Sequence, residues 1–224
     1  MKIILCIISL FLVFSVSAQV VESSDQVPVD FKARAFNEQD FNTFAWLKEF
    51  TYVIVINKSN SGSDKQTLRV YQNSKLKEFT RISSGRETFE KGCGPGQQPK
   101  LDHCSNRAYW STTPVGYFDL DVLEENYFSI LWETWMPYAV FFTDGIAMHQ
   151  APAGKEGKIG NRASGGCVRM HPSMAPKIFA MIKSAGKGLI PVVDRDGNLK
   201  KNSFGDVVRT QGYKTLVIAQ NVVK

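Results

Sequence analysis

Two residue types in this 224-residue chain are suited to nucleophilic catalysis, and the local sequence brings each into a useful setting. Cys167 follows Gly165 and Gly166, and His149 closes the apolar run Ile146-Ala147-Met148. Glycines permit a tight turn and let backbone N–H groups come close to a ligand. A cysteine on such a turn can attack a carbonyl carbon while the N–H groups of Gly165 and Gly166 hold the developing oxyanion. A thiol attacks only once ionised, and a neighbouring imidazole can take its proton. His149, at the end of a strand, is the candidate base. The same residues admit other chemistry. The chain holds three histidines, His103, His149 and His171, so Cys167, His149 and His171 form the best metal set it offers. Zinc asks for a fourth ligand or a water, and no Cys-x-x-Cys pair helps, so neither a metal nor an organic cofactor is expected. Alone, Cys167 would read as a buried structural thiol and His149 as an ordinary strand histidine. Their pairing favours acyl transfer. A papain-like protease would carry its Cys early and its His late, the reverse of the order here.

The surrounding elements read as mainly β. The run Tyr52-Val53-Ile54-Val55-Ile56-Asn57 is rich in β-branched residues, as a strand is. A Ser/Asn/Gly-rich turn over 58–65 leads to an alternating strand at 67–71. Asn73-Ser74-Lys75 turns again, and a third strand follows at 77–83. Three short strands in a meander predict antiparallel sheet. Residues 87–107 form an irregular insertion, placed near the site because long loops in compact domains are often functional. The chain re-enters the sheet at 113–118. Residues 123–135 are aromatic-rich and fit either a short helix or a lid. A buried hairpin is expected from 139–142 and 146–149 around Thr143-Asp144-Gly145. One helix is predicted after Cys167, capped by Ser173, with Ala175, Ile178, Phe179 and Ile182 on its apolar face and Gly186 or Gly188 at its end. Final strands are expected at 189–193 and 215–218.

These residues together resemble the L,D-transpeptidase (YkuD) family. That family carries a His, a gap, then Ser or Thr, a residue that is often His, Gly, Cys, an apolar residue and Arg or Asn. Here the pattern is met by His149, Ser164, Gly165, Gly166, Cys167, Val168 and Arg169, and fourteen residues (150–163) fill the gap. The strands at 55–57 and 68–71, the turn Ser83-Ser84-Gly85-Arg86 and the Thr-Pro-x-Gly-x-Phe segment at 113–118 also match, in the family's order. The likeness runs from about residue 50 to 195. Gly165 departs from the pattern at the position often held by His, and keeps only the backbone carbonyl expected to orient the catalytic imidazole. His149-Gln150 likewise replaces the usual His-Gly pair. The resemblance implies a β-sandwich of two mixed sheets with few short helices, and the Cys turn at one edge. It implies that Cys167 attacks the L-to-D peptide bond of a peptidoglycan stem peptide, with His149 as its base. Transfer of the thioester to an amine would give a 3→3 cross-link, and transfer to water a carboxypeptidase. A wall-anchored protein is a further acceptor the same chemistry allows. Arg169 and Arg162 are candidates to bind a substrate carboxylate. Ser164 is a third contact at that site, and orders the turn. A non-catalytic wall-binding module on the same fold would be marked by loss of Cys167 or His149, and both are present.

Compartment and charge agree with this. Met1-Lys2, an apolar stretch over 3–14 and the small residues Ser15-Val16-Ser17-Ala18 read as a secretory signal peptide ending at residue 18. The apolar stretch is shorter than the roughly 20 residues a membrane span needs, so no stable membrane insertion is expected after cleavage. The expected destination, across the inner membrane, is the periplasm or cell wall. In that setting Cys93 and Cys104, close together in a Gly/Pro-rich stretch, are the natural disulfide pair. Cys167 is then the odd cysteine. The net charge of +6 suits an anionic partner, but basic residues are not interleaved with aromatics in a nucleic-acid pattern, and no nucleic-acid partner is expected. The organisation predicted is a signal peptide at 1–18, a poorly ordered lead-in at 19–49 and a catalytic domain at 50–224.

Overall fold

The structure, a computed structural model, describes residues 33–100 and 103–224. The expected signal peptide and residues 19–32 of the lead-in lie outside the described residues. Residues 33–49 are not a loose lead-in. They form a one-turn helix, α1 (Asp40–Thr43), and a 3-10 turn, Ala45–Glu49. Phe36, Phe41, Trp46 and Leu47 bury their side chains in one cluster with Phe50, Tyr71 and Tyr117. Scattered aromatics between polar residues concealed this, because the face they make is complete only when it meets the sheet.

That cluster lies against β1 (Tyr52–Asn57), all six residues of which are buried. A strand covered on both faces reads as an unbroken apolar run rather than an alternation. Val53 and Val55 meet the N-terminal cluster, whereas Ile54 and Ile56 enter the main core. β2 (Thr67–Gln72) and β3 (Lys75–Ser83) complete the expected antiparallel meander. β4 (Phe89–Glu90), in the insertion, pairs with β5 (Tyr109–Trp110) just after it, and Cys93 is joined to Cys104 by a disulfide. Next come β6 (Gly116–Asp119), β7 (Val122–Ser129), β8 (Thr134–Thr143) and β9 (Ile146–Gln150). The aromatic stretch at 123–135 is therefore neither helix nor separate lid but most of the β7–β8 hairpin.

After the glycine turn, β10 (Val168–Met170) leads to α2 (Ala175–Ala185). The buried face of α2 is Ala175, Ile178, Phe179 and Ile182, as its spacing predicts. Gly186, at φ +65°, ends it. Ser173 does not cap it: the N-cap is Met174, and Ser173 hydrogen-bonds the His171 ring instead. β11 (Lys187–Pro191) pairs with β12 (Arg209–Tyr213), and β13 (Thr215–Gln220) closes the fold.

Nine strands share one sheet in the order β6-β13-β1-β2-β3-β10-β9-β8-β7. The β1/β13 and β9/β10 pairs are parallel, so the sheet is mixed. β3 joins its halves, pairing with β2 along its length and with β10 through Ile82 and Ser83. The sheet curls so that the halves face each other. Ile54, Ile56, Leu68 and Val70 from one share a core with Val140, Phe142, Met148, Val168 and Met170 from the other, and α2 completes it. The sandwich of two mixed sheets is thus one sheet folded over itself.

Candidate active site

Strand parity brings the chemistry-bearing residues together. In β9, Ile146 and Met148 enter the core, so Ala147 and His149 face the other way. In β10, Val168 and Met170 enter the same core, which turns Cys167 and Arg169 to the face of Ala147 and His149. The parallel register sets Arg169 opposite His149. Cys167 lies one pleat back, level with Ala147, whose N–H donates to its Sγ at 3.4 Å.

The turn before Cys167 is held from several sides. Gly166 has φ +128°, a conformation L side chains rarely adopt, and a Cβ there would lie 2.9 Å from Ile146 Cδ1. Ser164 Oγ accepts the Gly166 N–H at 3.1 Å and donates to the Cys167 carbonyl, so the Gly166 N–H expected to hold an oxyanion is engaged within the turn instead. Thr113 Oγ1 donates to the Gly166 carbonyl at 2.5 Å and accepts the Gly85 N–H at 2.9 Å. Thr113 is itself fixed by buried charge. Its N–H donates to Glu87 Oε1 at 3.2 Å, and Lys58 Nζ bridges Glu87 Oε2 at 2.9 Å and the Thr113 carbonyl at 2.6 Å. Because a trans peptide points its C=O and N–H in opposite directions, anchoring the Gly166 carbonyl also sets the direction of the Cys167 N–H.

His149 is 3 % exposed. Its Nδ1 lies 2.7 Å from the Gln150 carbonyl. A carbonyl only accepts, so Nδ1 carries the proton and Nε2 keeps its lone pair. The carbonyl that orients this ring is therefore that of Gln150, not Gly165. Burial, and then the neighbouring Arg169 guanidinium, push the imidazole pKa down to about 3, with the Gln150 carbonyl opposing in part. The resting ring is neutral, the state a base needs. Arg169 is also buried, with one guanidinium N–H reaching the Ala163 carbonyl at 3.3 Å.

Cys167, His149, Arg169, Ser164 and Gly165 line a narrow cavity of about 30 Å³. Its far wall is the β7–β8 hairpin, through Tyr127, Trp132 and Met136. Gly165 packs so closely that a Cβ there would lie 2.5 Å from Tyr109 Oη and 2.8 Å from Trp132 Nε1. The volume a family histidine would enter is already filled by an aromatic pair, Tyr109 from β5 and Trp132 from the hairpin. The Tyr109 hydroxyl is buried, and burial raises its pKa. Arg162 does not join this cavity. Its guanidinium binds the Lys58 carbonyl at 3.0 Å and Asn221 at 3.2 Å, and it lines a neighbouring cleft. His171 is exposed and bound to Ser173, and no group of three or more His, Cys, Asp or Glu side chains among the described residues is placed to hold a metal ion. Nothing in the sequence marks Lys58 or Tyr109. Glu87 and Trp132 lie in segments expected near the site, the insertion and the aromatic stretch at 123–135, and Thr113 has a signal in its Thr-Pro segment.

Residues 51–209 match the YkuD family, the L,D-transpeptidase catalytic domain, and the chain belongs to that family. Among solved structures, it is similar to an L,D-transpeptidase from Xylanimonas cellulosilytica at 20% identity and TM-score 0.47, over 76% of this chain and 61% of that one. It is similar to one from Stackebrandtia nassauensis at 22% identity and TM-score 0.37, over 58% and 50%. A third, from Mycobacterium smegmatis, gives 15% identity and TM-score 0.45 over 76% and 59%. The chain thus spans about three fifths or less of the length of these proteins. No curated protein matches it.

Proposed function

We propose that this protein is an exported L,D-transpeptidase of peptidoglycan stem peptides, with Cys167 as nucleophile and His149 as general base. The observation that carries this reading is the shared face of Cys167 and His149, set by strand parity and the β9/β10 register. His149 Nε2 takes the thiol proton as sulfur attacks the carbonyl of the third stem residue. The C–S bond forms, the C–N bond to the terminal D-residue breaks, and the departing amine leaves with the proton from His149. Gly165 and Gly166 shape the turn over which the oxyanion develops. Arg169 holds a substrate carboxylate. In the second half-reaction an amine attacks the thioester carbonyl and the C–S bond breaks. The amine proton passes through His149 back to sulfur. Water in place of the amine releases a shortened stem.

The test is to incubate the wild-type protein and Cys167→Ala with purified tetrapeptide muropeptides and resolve the products by liquid chromatography and mass spectrometry. The wild type is expected to form 3→3 dimers with some tripeptide. Cys167→Ala is expected to form neither while melting at the same temperature. Turnover by Cys167→Ala would overturn the mechanism.

A further inference from the structure

A second cavity, of about 420 Å³, adjoins the turn that carries Cys167. It is far roomier than the cavity holding the thiol. Arg86 and Glu90 follow β3, His103 comes from the disulfide-stapled insertion, and Lys155, Lys158 and Arg162 come from the loop between β9 and β10. Ala163 also lines the cleft, and the next residue, Ser164, lines the thiol cavity. The two cavities come close again where the Arg86 guanidinium, lining one, lies 5.8 Å from the ring of Trp132, lining the other.

The charge of this cleft is one-sided. Among its described residues are four cationic side chains and a single carboxylate, Glu90, which Arg86 Nε holds at 2.8 Å. Two of the cations are firmly placed: Arg162 by the Lys58 carbonyl and Asn221, Arg86 by Glu90 and the Ala163 carbonyl. A concave surface of one sign concentrates counter-charged ligands, and guanidinium forks suit carboxylates.

The proposed reaction needs two substrates at one sulfur. The donor occupies the narrow cavity as a thioester, so the acceptor must reach the same carbon by another way. We propose that the cleft of Arg86, Lys155, Lys158 and Arg162 is the acceptor subsite, binding the carboxylates of a second stem peptide while its amine attacks the thioester. This rests on the thioester reading above. The amine nitrogen bonds to the carbonyl carbon, sulfur leaves, and the amine proton returns to sulfur through His149.

The test separates the half-reactions. Thioester formation with a tetrapeptide donor is followed by intact-protein mass spectrometry. The loaded enzyme is then chased with a tripeptide-stem acceptor at rising concentration, and dimer is measured against hydrolysed donor. The proteins compared are wild type, Lys155→Gln/Lys158→Gln and Lys158→Glu. Thioester formation is expected to stay within about twofold. The acceptor concentration giving half-maximal dimer is expected to rise about tenfold in the double variant, the size of two exposed ion pairs, with hydrolysis gaining what dimer loses. Lys158→Glu is expected to shift the same way, and so is the wild type when salt is raised to about 0.5 M. An unchanged acceptor dependence in variants that load normally would overturn the acceptor subsite alone. A wild-type chain that never forms a thioester would overturn the proposed function and the subsite with it.

Discussion

At the residue scale, His149 is held neutral by burial and by Arg169, and this has a thermodynamic signature. Its folded pKa, about 3, lies below the unfolded value of 6.5. The unfolded chain therefore binds a proton more readily, and the contribution of a neutral His149 is complete above about pH 6.5 and is lost as pH falls toward 3. Within that window one such group changes stability by about 1.4 kcal/mol per pH unit. Asp119 works in the opposite sense, because burial and then Asp121 raise its pKa to about 6, so its contribution is present below its ordinary value and lost as pH rises through 6. Comparing wild type with His149→Gln cancels the Asp119 effect. Urea unfolding between pH 7 and pH 4 is expected to show the wild type losing stability more steeply than the variant, and parallel curves would mean that the imidazole is not held neutral. Residue types and order single out Cys167 and His149, and the structure sets them on one face. The hand that orients the imidazole was not legible, because Gln150 acts through its backbone carbonyl, which any residue supplies. The absence of the family histidine at 165 was legible, but its reason, Tyr109 and Trp132 filling that volume, needed contacts across 56 and 33 positions.

At the element scale, the site depends on two short strands and one glycine turn staying in register. β10 has three residues and is sandwiched between β3 and β9. Its turn is tied down by backbone bonds from Ala163 and Ser164 to the 84–86 segment and by two side chains, Ser164 from within and Thr113 from the segment before β6. Removing the Thr113 hydroxyl would leave the Gly166 carbonyl and the Gly85 N–H unpaired in a buried place, an expense of about 1–3 kcal/mol. The turn would then relax, and misplacement by about 1 Å lowers reaction rates by about a hundredfold. Thr113→Val is therefore expected to lower kcat by about ten- to a hundredfold with little change in KM, while Thr113→Ser, which keeps the hydroxyl, stays within about threefold. A Thr113→Val protein with normal kcat would show that the turn holds without this bond. The elements themselves were mostly legible. The β1–β3 meander, the β8–β9 hairpin and the buried face of α2 carry clear periodicity. β7 did not, because Glu124, Glu125 and Asn126 are exposed in succession and break the alternation. The β12 strand is short and largely exposed, so no apolar pattern marks it.

At the scale of the whole molecule, the sheet has two apolar sides. One is the main core, filled by its other half and α2, and the second is covered by residues 33–50. A division at residue 49 follows from composition, which cannot see that Phe36, Phe41, Trp46 and Leu47 converge on Val53, Val55, Leu216 and Ile218. Nor could the parallel pairing of β1 with β13 be read, since it joins positions about 160 residues apart. The YkuD match, 51–209, likewise begins after this covering segment. The segment lies on the side of β1 away from the main core, and none of its residues lines the thiol cavity. A chain starting at residue 50 should therefore keep every residue of the site and still suffer in stability. Each fully buried large apolar side chain contributes about 1.5–3 kcal/mol, and four are removed together while the strand face beneath them is opened to water. The sum, reduced by residual order in the unfolded chain, is about 4–11 kcal/mol, comparable to the whole stability of many domains. The truncated protein is expected to melt far below the chain that retains residues 33–49, to bind a hydrophobic dye and to aggregate. Carrier-free expression of both forms, with melting temperature and dye binding read side by side, checks this. Equal melting temperatures would mean that the N-terminal aromatics decorate the sheet rather than complete its second core.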